Sequence, residues 1–127
     1  EWESEDDDTK QPYYIEPTEN DLFGFAGIWD IWKDDETGDT IQSCAIITTE
    51  ANEKLEGIHH RMPVILSENE YEPWLDTDLQ EPDRLQPLLD PCPVEKLDHH
   101  PVDKRVNSPE NNDPDCVKPI SDMAEKQ

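Results

Sequence analysis

Ile58-His59-His60-Arg61-Met62-Pro63-Val64-Ile65-Leu66 is the stretch that decides the fold, because a titratable and cationic cluster runs directly into an apolar segment. Pro63 fixes its own backbone and disfavours helical geometry at the residue before it. Any helix that arrives through residues 52–57 must therefore end before this proline. The apolar residues 62–66 then have the composition of a buried strand. The stretch predicts a helix end, a sharp exit and a buried strand, with both histidines at the junction.

His59, His60 and Arg61 carry the candidate chemistry of this stretch. Histidine is the side chain that ordinarily changes charge near neutral pH, and arginine offers a fixed cationic fork for a carboxylate or a phosphate. Neighbouring side chains on a strand point to opposite faces, so we expect at most one of the two histidines in a given site. Spacing alone leaves a polar surface loop as the alternative.

Residues 58–66 resemble the signature of the SOS response-associated peptidase (SRAP) family, Ile-His-x-Arg-Met-Pro-Val-Ile-Leu. Further blocks fall in the family's order: Glu1-Trp2, residues 10–15, 25–29 and 45–52, Trp74-Leu75, residues 100–102, Val106-Asn107 and Pro119. The resemblance implies a β-rich α+β fold of mostly antiparallel strands and short helices, incomplete without the family's N-terminal half. Because the chain begins at Glu1 without a methionine, we expect a fragment of such a domain.

The resemblance also implies roles for individual residues. It assigns proton transfer to Glu1 and His59, and not to His60. The chemistry of two further side chains favours DNA contacts, with Trp2 stacking on a base and Arg61 contacting a phosphate because the chain has so few cations. A buried core position for Trp2 and a structural ion pair for Arg61 are the alternatives. The family's catalytic cysteine and asparagine belong to the N-terminal half.

The activity that the resemblance implies is covalent capture of abasic sites in single-stranded DNA as a thiazolidine, together with a self-processing peptidase activity. The cysteine amine and thiol are the nucleophiles, and a carboxyl group and an imidazole supply the proton transfers. Without that cysteine, we expect this chain alone to form no crosslink. We expect abasic single-stranded DNA as the partner, a monomer, and no cofactor. The alternative is a truncated or split-gene remnant that acts as a non-catalytic binding or accessory protein.

The chain is strongly acidic, with 10 Lys and Arg against 33 Asp and Glu and a net charge of -23. This charge conflicts with DNA binding, because Lys and Arg contacts to phosphates supply most non-specific affinity. Either the rest of the domain builds the cationic groove, or the protein works in a high-salt cytoplasm. We favour the second, because the acids gather in loop-like runs at residues 3–8, 34–36 and 68–72. An acidic mimic of DNA would explain the charge but none of the matched blocks.

Cysteine and histidine spacing gives no sign of a metal site. Cys44, Cys92 and Cys116 are far apart and form no C-x-x-C knuckle, and we expect Cys44 to be a small core residue. His99 and His100 form a second pair, but no cysteine or helical His-x3-His pattern accompanies them. No apolar stretch approaches 18 residues and no leader is visible, so we expect a soluble cytoplasmic protein.

Local patterns predict short elements throughout residues 1–112, followed by a loose polar tail at 113–127. The expected strands are 11–15, 23–32, 41–49 and 97–106, with a turn at 34–39. Thr49 is expected to cap a helix over 50–55 that Gly57 ends. Capping boxes at 67–70 and 78–81 are expected to open two further helices, the second of which presents Leu85, Leu88 and Leu89 on one face.

Overall fold

The computed structural model describes residues 1–4, 10–19 and 22–121, which form two compact units. The strands are β1 Trp2–Ser4, β2 Lys10–Pro17, β3 Gly24–Phe25, β4 Gly27–Lys33, β5 Thr40–Ile46, β6 Thr48–Glu50, β7 Arg61–Pro63, β8 Ile65–Leu66 and β9 Leu97–Pro101. The helices are α1 Glu68–Leu75 and α2 Pro82–Leu85, and the 3₁₀ segments are Gln86–Leu89, Val94–Lys96, Lys104–Asn107 and Pro114–Val117. Every strand pairing is antiparallel, which confirms the expected β-rich α+β class.

The first unit comprises the described parts of residues 1–22, 51–60 and 93–121. Its centre is a three-stranded sheet in the order β1-β2-β9. Pro12 lies in the middle strand, where it pairs with Trp2 on one side and accepts a hydrogen bond from Val102 N–H at 3.0 Å on the other. Proline has no N–H to return that bond. The side-chain amide of Gln11 donates to the Val102 carbonyl at 2.8 Å instead, so the ladder stays satisfied around a buried proline.

Residues 53–58 of this unit form consecutive turns, so the helix expected over 50–55 is wrong. The buried Asn52 accepts the Leu55 N–H both at its carbonyl and at its side-chain oxygen, each at 3.1 Å. A side chain that takes backbone donors in this way competes with continued helix formation. Thr49, the expected cap, pairs with Met62 in the β6–β7 ladder.

The second unit comprises residues 23–50 and 61–92. Backbone hydrogen bonds of 2.8–2.9 Å join three of its residues in a ring. The Ala26 N–H donates to the Val64 carbonyl, the Val64 N–H to the Ile47 carbonyl, and the Ile47 N–H to the Ala26 carbonyl. Ala26 and Val64 are fully buried and pack with Leu66. Around this core lie Ile47, Tyr71, Trp74, Leu88 and Leu89. The expected buried strand at 62–66 is therefore confirmed, although it divides into β7 and β8, which pair with different partners.

The β4–β5 hairpin of the second unit confirms the turn expected at 34–39. Asp34 N–H donates to Asp39 and Gly38 N–H to Asp34, both at 2.8 Å. Gly38 has φ of 77°, a left-handed conformation that glycine adopts without steric cost. Cys44 on β5 is exposed, so its expected core position is wrong: β5 pairs with β4 but is covered by no described element.

The two expected capping boxes have different outcomes. Glu70 Oε1 accepts the Ser67 N–H at 2.8 Å and α1 follows, as predicted. In residues 76–81, however, Asp78 N–H donates to the Asp76 side chain, and α2 begins after Glu81 with Pro82 at its first position. Pro87 then converts the chain to 3₁₀ geometry, because proline cannot donate within a helix. The single helix expected through Leu89 is therefore wrong.

The chain after β9 is held more firmly than expected. The strand predicted over 97–106 ends at Pro101, and the segment Lys104–Asn107 is 3₁₀. Arg105 pairs with Asp113 at 2.6 Å, Cys116 is buried, and Pro119 bridges to Val102. Residues 113–119 thus make specific contacts within their unit, while 122–127, like most of the acidic run 3–8, lie outside the described residues. No helix in the described ranges is long and apolar enough to cross a membrane.

Candidate functional site

Glu1 extends the β1–β2 ladder by one residue. Its carbonyl accepts the Tyr13 N–H at 2.7 Å and its amino group donates to the Tyr13 carbonyl at 3.2 Å. Residues paired in this way direct their side chains to the same face of a sheet. The Tyr13 hydroxyl donates to Glu3 at 2.9 Å, so Glu3 helps to hold the sheet. Glu1 presents an exposed carboxyl group from a hydrogen-bonded backbone.

Trp2 points to the opposite face of β1 and is anchored by a side chain far along the sequence. Its indole Nε1–H donates to Asn107 Oδ1 at 2.7 Å, and the residue is 48% exposed. The alternative of a buried core tryptophan is therefore wrong. Sequence reasoning missed the role of Asn107, although Val106-Asn107 was one of the matched blocks. The contact orients the indole of a residue that is half-exposed at the surface.

His59 and His60 stack on one another at the surface. Their ring centroids are 4.6 Å apart with planes inclined by 23°. Both residues precede β7, so strand alternation does not apply to them, and the expectation of opposite faces is wrong. The backbone fixes the pair, since His59 N–H donates to Leu55 at 3.0 Å and the His60 carbonyl accepts from Ala51 at 3.0 Å. His60 is therefore a direct packing partner of His59.

Arg61 opens β7 and is exposed. Its Nη2 donates to the carbonyl of Thr48 at 2.8 Å and to the Thr48 hydroxyl at 3.2 Å. These bonds attach the guanidinium to the neighbouring β6 strand. The described contacts thus give Arg61 a structural role within the β6–β7 pair, and the phosphate contact stays a prediction.

The second histidine pair, His99 and His100, makes contacts within its own compact unit. The His99 ring meets Tyr13 edge-on with centroids 5.5 Å apart, and His100 Nε2 lies 2.6 Å from the Val117 carbonyl. Within the described ranges, no group of three or more His, Cys, Asp or Glu side chains is arranged to hold a metal ion. Glu1, Trp2 and His59 belong to the first compact unit, and Arg61 belongs to the second.

Comparison with known proteins agrees with these motifs. The sequence model of the SOS response associated peptidase (SRAP) family matches residues 1–109. The abasic site processing protein YoqW of Bacillus subtilis is 41% identical over 118 residues, which are 93% of this chain and 52% of YoqW. The abasic site processing protein HMCES of Xenopus tropicalis is 33% identical over 139 aligned residues, with 94% of this chain and 40% of that protein covered.

A crystal structure of a protein from Bacteroides thetaiotaomicron is also similar. It has a TM-score of 0.80 and 34% identity, and the match covers 94% of this chain and 52% of that chain. This chain belongs to the SRAP family. It spans about half the length of YoqW, since the match covers 52% of that relative.

Proposed function

We propose that this chain supplies the acid–base residues of a centre that crosslinks to abasic sites in single-stranded DNA. One observation carries the proposal: the chain contains the Glu1-Trp2 and His59-x-Arg61 motifs, and its relatives are named abasic site processing proteins. Both candidate acid–base side chains are exposed, and both have hydrogen-bonded backbones in the same compact unit. Exposed groups on a fixed backbone suit reaction with a macromolecular substrate.

The reaction requires several proton transfers around one sugar carbon. Ring opening moves the proton of the C1′ hydroxyl to the ring oxygen and produces an aldehyde. A cysteine amine adds to the aldehyde, the carbinolamine loses water to give an imine, and the thiol adds across the C=N bond to close a thiazolidine. Glu1 and His59 are the residues we assign to accept and return these protons. We expect the cysteine to lie in the part of the domain outside the match. We expect the same cysteine to act in the self-processing peptidase activity.

Trp2 and Arg61 are the proposed DNA contacts of this chain. The half-exposed indole of Trp2, fixed by Asn107, is suited to stacking on an unpaired base, a contact that contributes about 1–3 kcal/mol. The exposed guanidinium of Arg61 is suited to a phosphate. With a net charge of -23, these contacts are expected to give only weak binding by this chain alone, because few cations are present to replace counterions on the DNA.

The assignment can be tested by comparing the two stacked histidines. The part of YoqW that this chain does not match is joined to Glu1, and crosslinking of the chimera to an abasic oligonucleotide is followed on denaturing gels. His59→Ala should slow the reaction by about 10²–10⁴-fold, as is typical for loss of a general acid–base group. Glu1→Gln should have a similar effect.

His60→Ala is the matched control, because it removes the packing partner of His59 and keeps the assigned imidazole. We expect its rate to stay within about tenfold of the unsubstituted chimera, since it loses orientation and no proton-transfer group. Equal rates for the two histidine variants, or a slower His60→Ala variant, would remove His59 from the assigned role and favour a non-catalytic accessory function.

A further inference from the structure

Asn52 is a polar residue in a buried position, with only 9% of its surface exposed. It ends the block at residues 45–52 that resembles the SRAP family, and the acid–base and DNA contacts proposed above make no use of that block. Burial of a polar side chain is costly unless the side chain is hydrogen-bonded. The Asn52 side-chain oxygen accepts the Leu55 N–H at 3.1 Å. The position therefore favours a hydrogen-bond acceptor over an apolar side chain.

Hydrogen bonds lead from Asn52 to His59 in two steps. The Asn52 carbonyl also accepts the N–H groups of Leu55 at 3.1 Å and Glu56 at 3.0 Å. Leu55 is buried, and its carbonyl accepts the His59 N–H at 3.0 Å. Leu55 is thus held through its N–H by Asn52 and holds His59 through its carbonyl. The backbone of His59 is connected to the buried asparagine through one intermediate residue.

The segment of residues 51–60 is also closed at its ends. Ala51 N–H donates to the His60 carbonyl at 3.0 Å, and the His60 ring stacks on His59. Residues 53–58 form turns and belong to no helix or strand. A backbone outside regular elements keeps its conformational freedom unless other bonds restrict it. The bonds made by Asn52, Leu55 and Ala51 therefore determine where the His59 imidazole lies.

We infer that Asn52 is a positioning residue for His59, because it fixes the turns that present the imidazole for proton transfer. The inference rests on the proposed function, in which His59 moves protons during abasic-site capture. A general acid or base must lie within hydrogen-bond reach of the group that it serves. Displacement by about 1 Å through a remote substitution can slow a reaction about a hundredfold. Asn52 acts on the reaction through His59 and contacts neither the DNA nor the reacting atoms.

The experiment uses the chimera in which the unmatched part of YoqW is joined to Glu1. Asn52→Ala removes the side-chain acceptor, whereas Asn52→Asp keeps an oxygen at the same place. The single-turnover crosslinking rate is measured at saturating abasic oligonucleotide, and affinity is measured with the same oligonucleotide without an abasic site. We expect Asn52→Ala to lower the rate by about tenfold to a hundredfold and to leave the affinity unchanged, because Trp2 and Arg61 are retained. Asn52→Asp should restore most of the rate.

The matched comparison is the same substitution in a chimera that already carries His59→Ala. Residues that act as a unit have non-additive effects on the rate, so Asn52→Ala should cause no further slowing once the imidazole is absent. Equal slowing in both backgrounds would indicate a general structural effect and would overturn the inference. An unchanged rate for Asn52→Ala, or an Asn52→Asp variant as slow as Asn52→Ala, would also overturn it.

Amide hydrogen exchange in the same chimera tests the positioning independently of the reaction. In Asn52→Ala, the His59 N–H should exchange about tenfold faster, because its acceptor Leu55 is less firmly held. The Tyr13 N–H, which donates to the Glu1 carbonyl at 2.7 Å, should exchange at an unchanged rate. Equal acceleration at both amides would overturn the inference. If the exchange result is as expected but His59→Ala crosslinks at full rate, the proposed function fails and the control of the His59 position by Asn52 stands.

Circular dichroism shows whether each variant retains its fold. If Asn52→Ala does not fold, Asn52→Gln replaces it, since glutamine keeps the amide but moves the oxygen by one methylene. The same slowing, the same absence of effect in the His59→Ala background and the same faster exchange at His59 are expected. A Gln variant with the rate and exchange of the unsubstituted chimera would overturn the inference.

Discussion

The β1-β2-β9 sheet and the β4–β5 hairpin are both antiparallel and both rich in aromatic or β-branched residues, yet they differ in how completely this chain covers them. In the sheet, the middle strand β2 has a partner on each side, and Pro12 and Leu97 are buried. In the hairpin, each strand has one partner among the described strands, and every residue is exposed.

The difference shows that strand pairing and strand burial are separate requirements. Turn chemistry and cross-strand pairs establish a hairpin locally, but only other parts of a polypeptide can cover its faces. The sheet shares its compact unit with residues 51–60 and 93–121, and the Lys54 ammonium donates a hydrogen bond to the Leu97 carbonyl of β9. Glu1 is exposed at one end of the β1–β2 ladder, whereas exposure in the hairpin extends to every residue of both strands.

The largest difference in stability should be found between truncating a buried residue of the sheet and truncating an exposed residue of the hairpin. Leu97 is 1% exposed and Ile28 is 56% exposed. Leu97→Ala should lower the free energy of unfolding by about 2–5 kcal/mol through lost burial and the cavity it leaves. Ile28→Ala should lower it by less than about 1 kcal/mol, because little apolar area is removed from contact. Urea denaturation followed by circular dichroism measures both, and equal losses would break the distinction between covered and uncovered strands.

A smaller loss of stability should show whether the Trp2–Asn107 hydrogen bond helps to hold the β1-β2-β9 sheet. Asn107→Ala removes the acceptor of the Trp2 indole N–H and should cost about 0.5–1.5 kcal/mol. The emission of Trp2 should also shift to longer wavelength as its ring becomes less constrained. Asn112→Ala, at an exposed asparagine of the same unit, is the control and should change neither quantity. If both variants behave alike, the hydrogen bond does not position Trp2.

Salt should produce the smallest effect, and it should act on the acidic surface that lies outside the hairpin strands. Repulsion among 33 acidic residues destabilises the folded chain, and ions screen it as the screening length falls from roughly 30 Å at 0.01 M to roughly 3 Å at 1 M. The midpoint of thermal unfolding should rise by several degrees over this range of KCl. A midpoint that does not rise would exclude high-salt adaptation as the reason for the charge.

Local chemistry made several elements predictable from the sequence. The Ser67–Glu70 capping box and the Gly38 turn depend on side chains within a few residues, and both formed as expected. The helix expected over 50–55 did not form, because Asn52 takes the Leu55 N–H and Thr49 pairs with the distant Met62. Pro87 was a visible signal that the helix through Leu89 would change to 3₁₀ geometry.

The sequence supplied candidate residues for the site but not their geometry. Glu1 and His59 came from the resemblance, Trp2 and Arg61 came from their side-chain chemistry, and all four roles stay predictions. The stacking of His59 on His60 and the Trp2–Asn107 hydrogen bond depend on the path of a turn and on a contact across 105 positions of sequence. Cys44 was wrongly predicted to lie in the core, since it is exposed. An apolar strand indicates that some polypeptide covers it, but it does not indicate that this chain provides the cover.

Our central proposal is that this chain contributes proton-transfer groups to abasic-site capture, and that the nucleophile comes from the part of the domain outside the match. It is tested by incubating the 127-residue chain, alone and co-expressed with the unmatched part of YoqW, with a single-stranded oligonucleotide that contains one abasic site. No reductant is added, so an imine formed by the Glu1 amine is not trapped, and the products are separated on a denaturing gel. We expect a stable adduct only when both polypeptides are present. A stable adduct formed by this chain alone would contradict the claim.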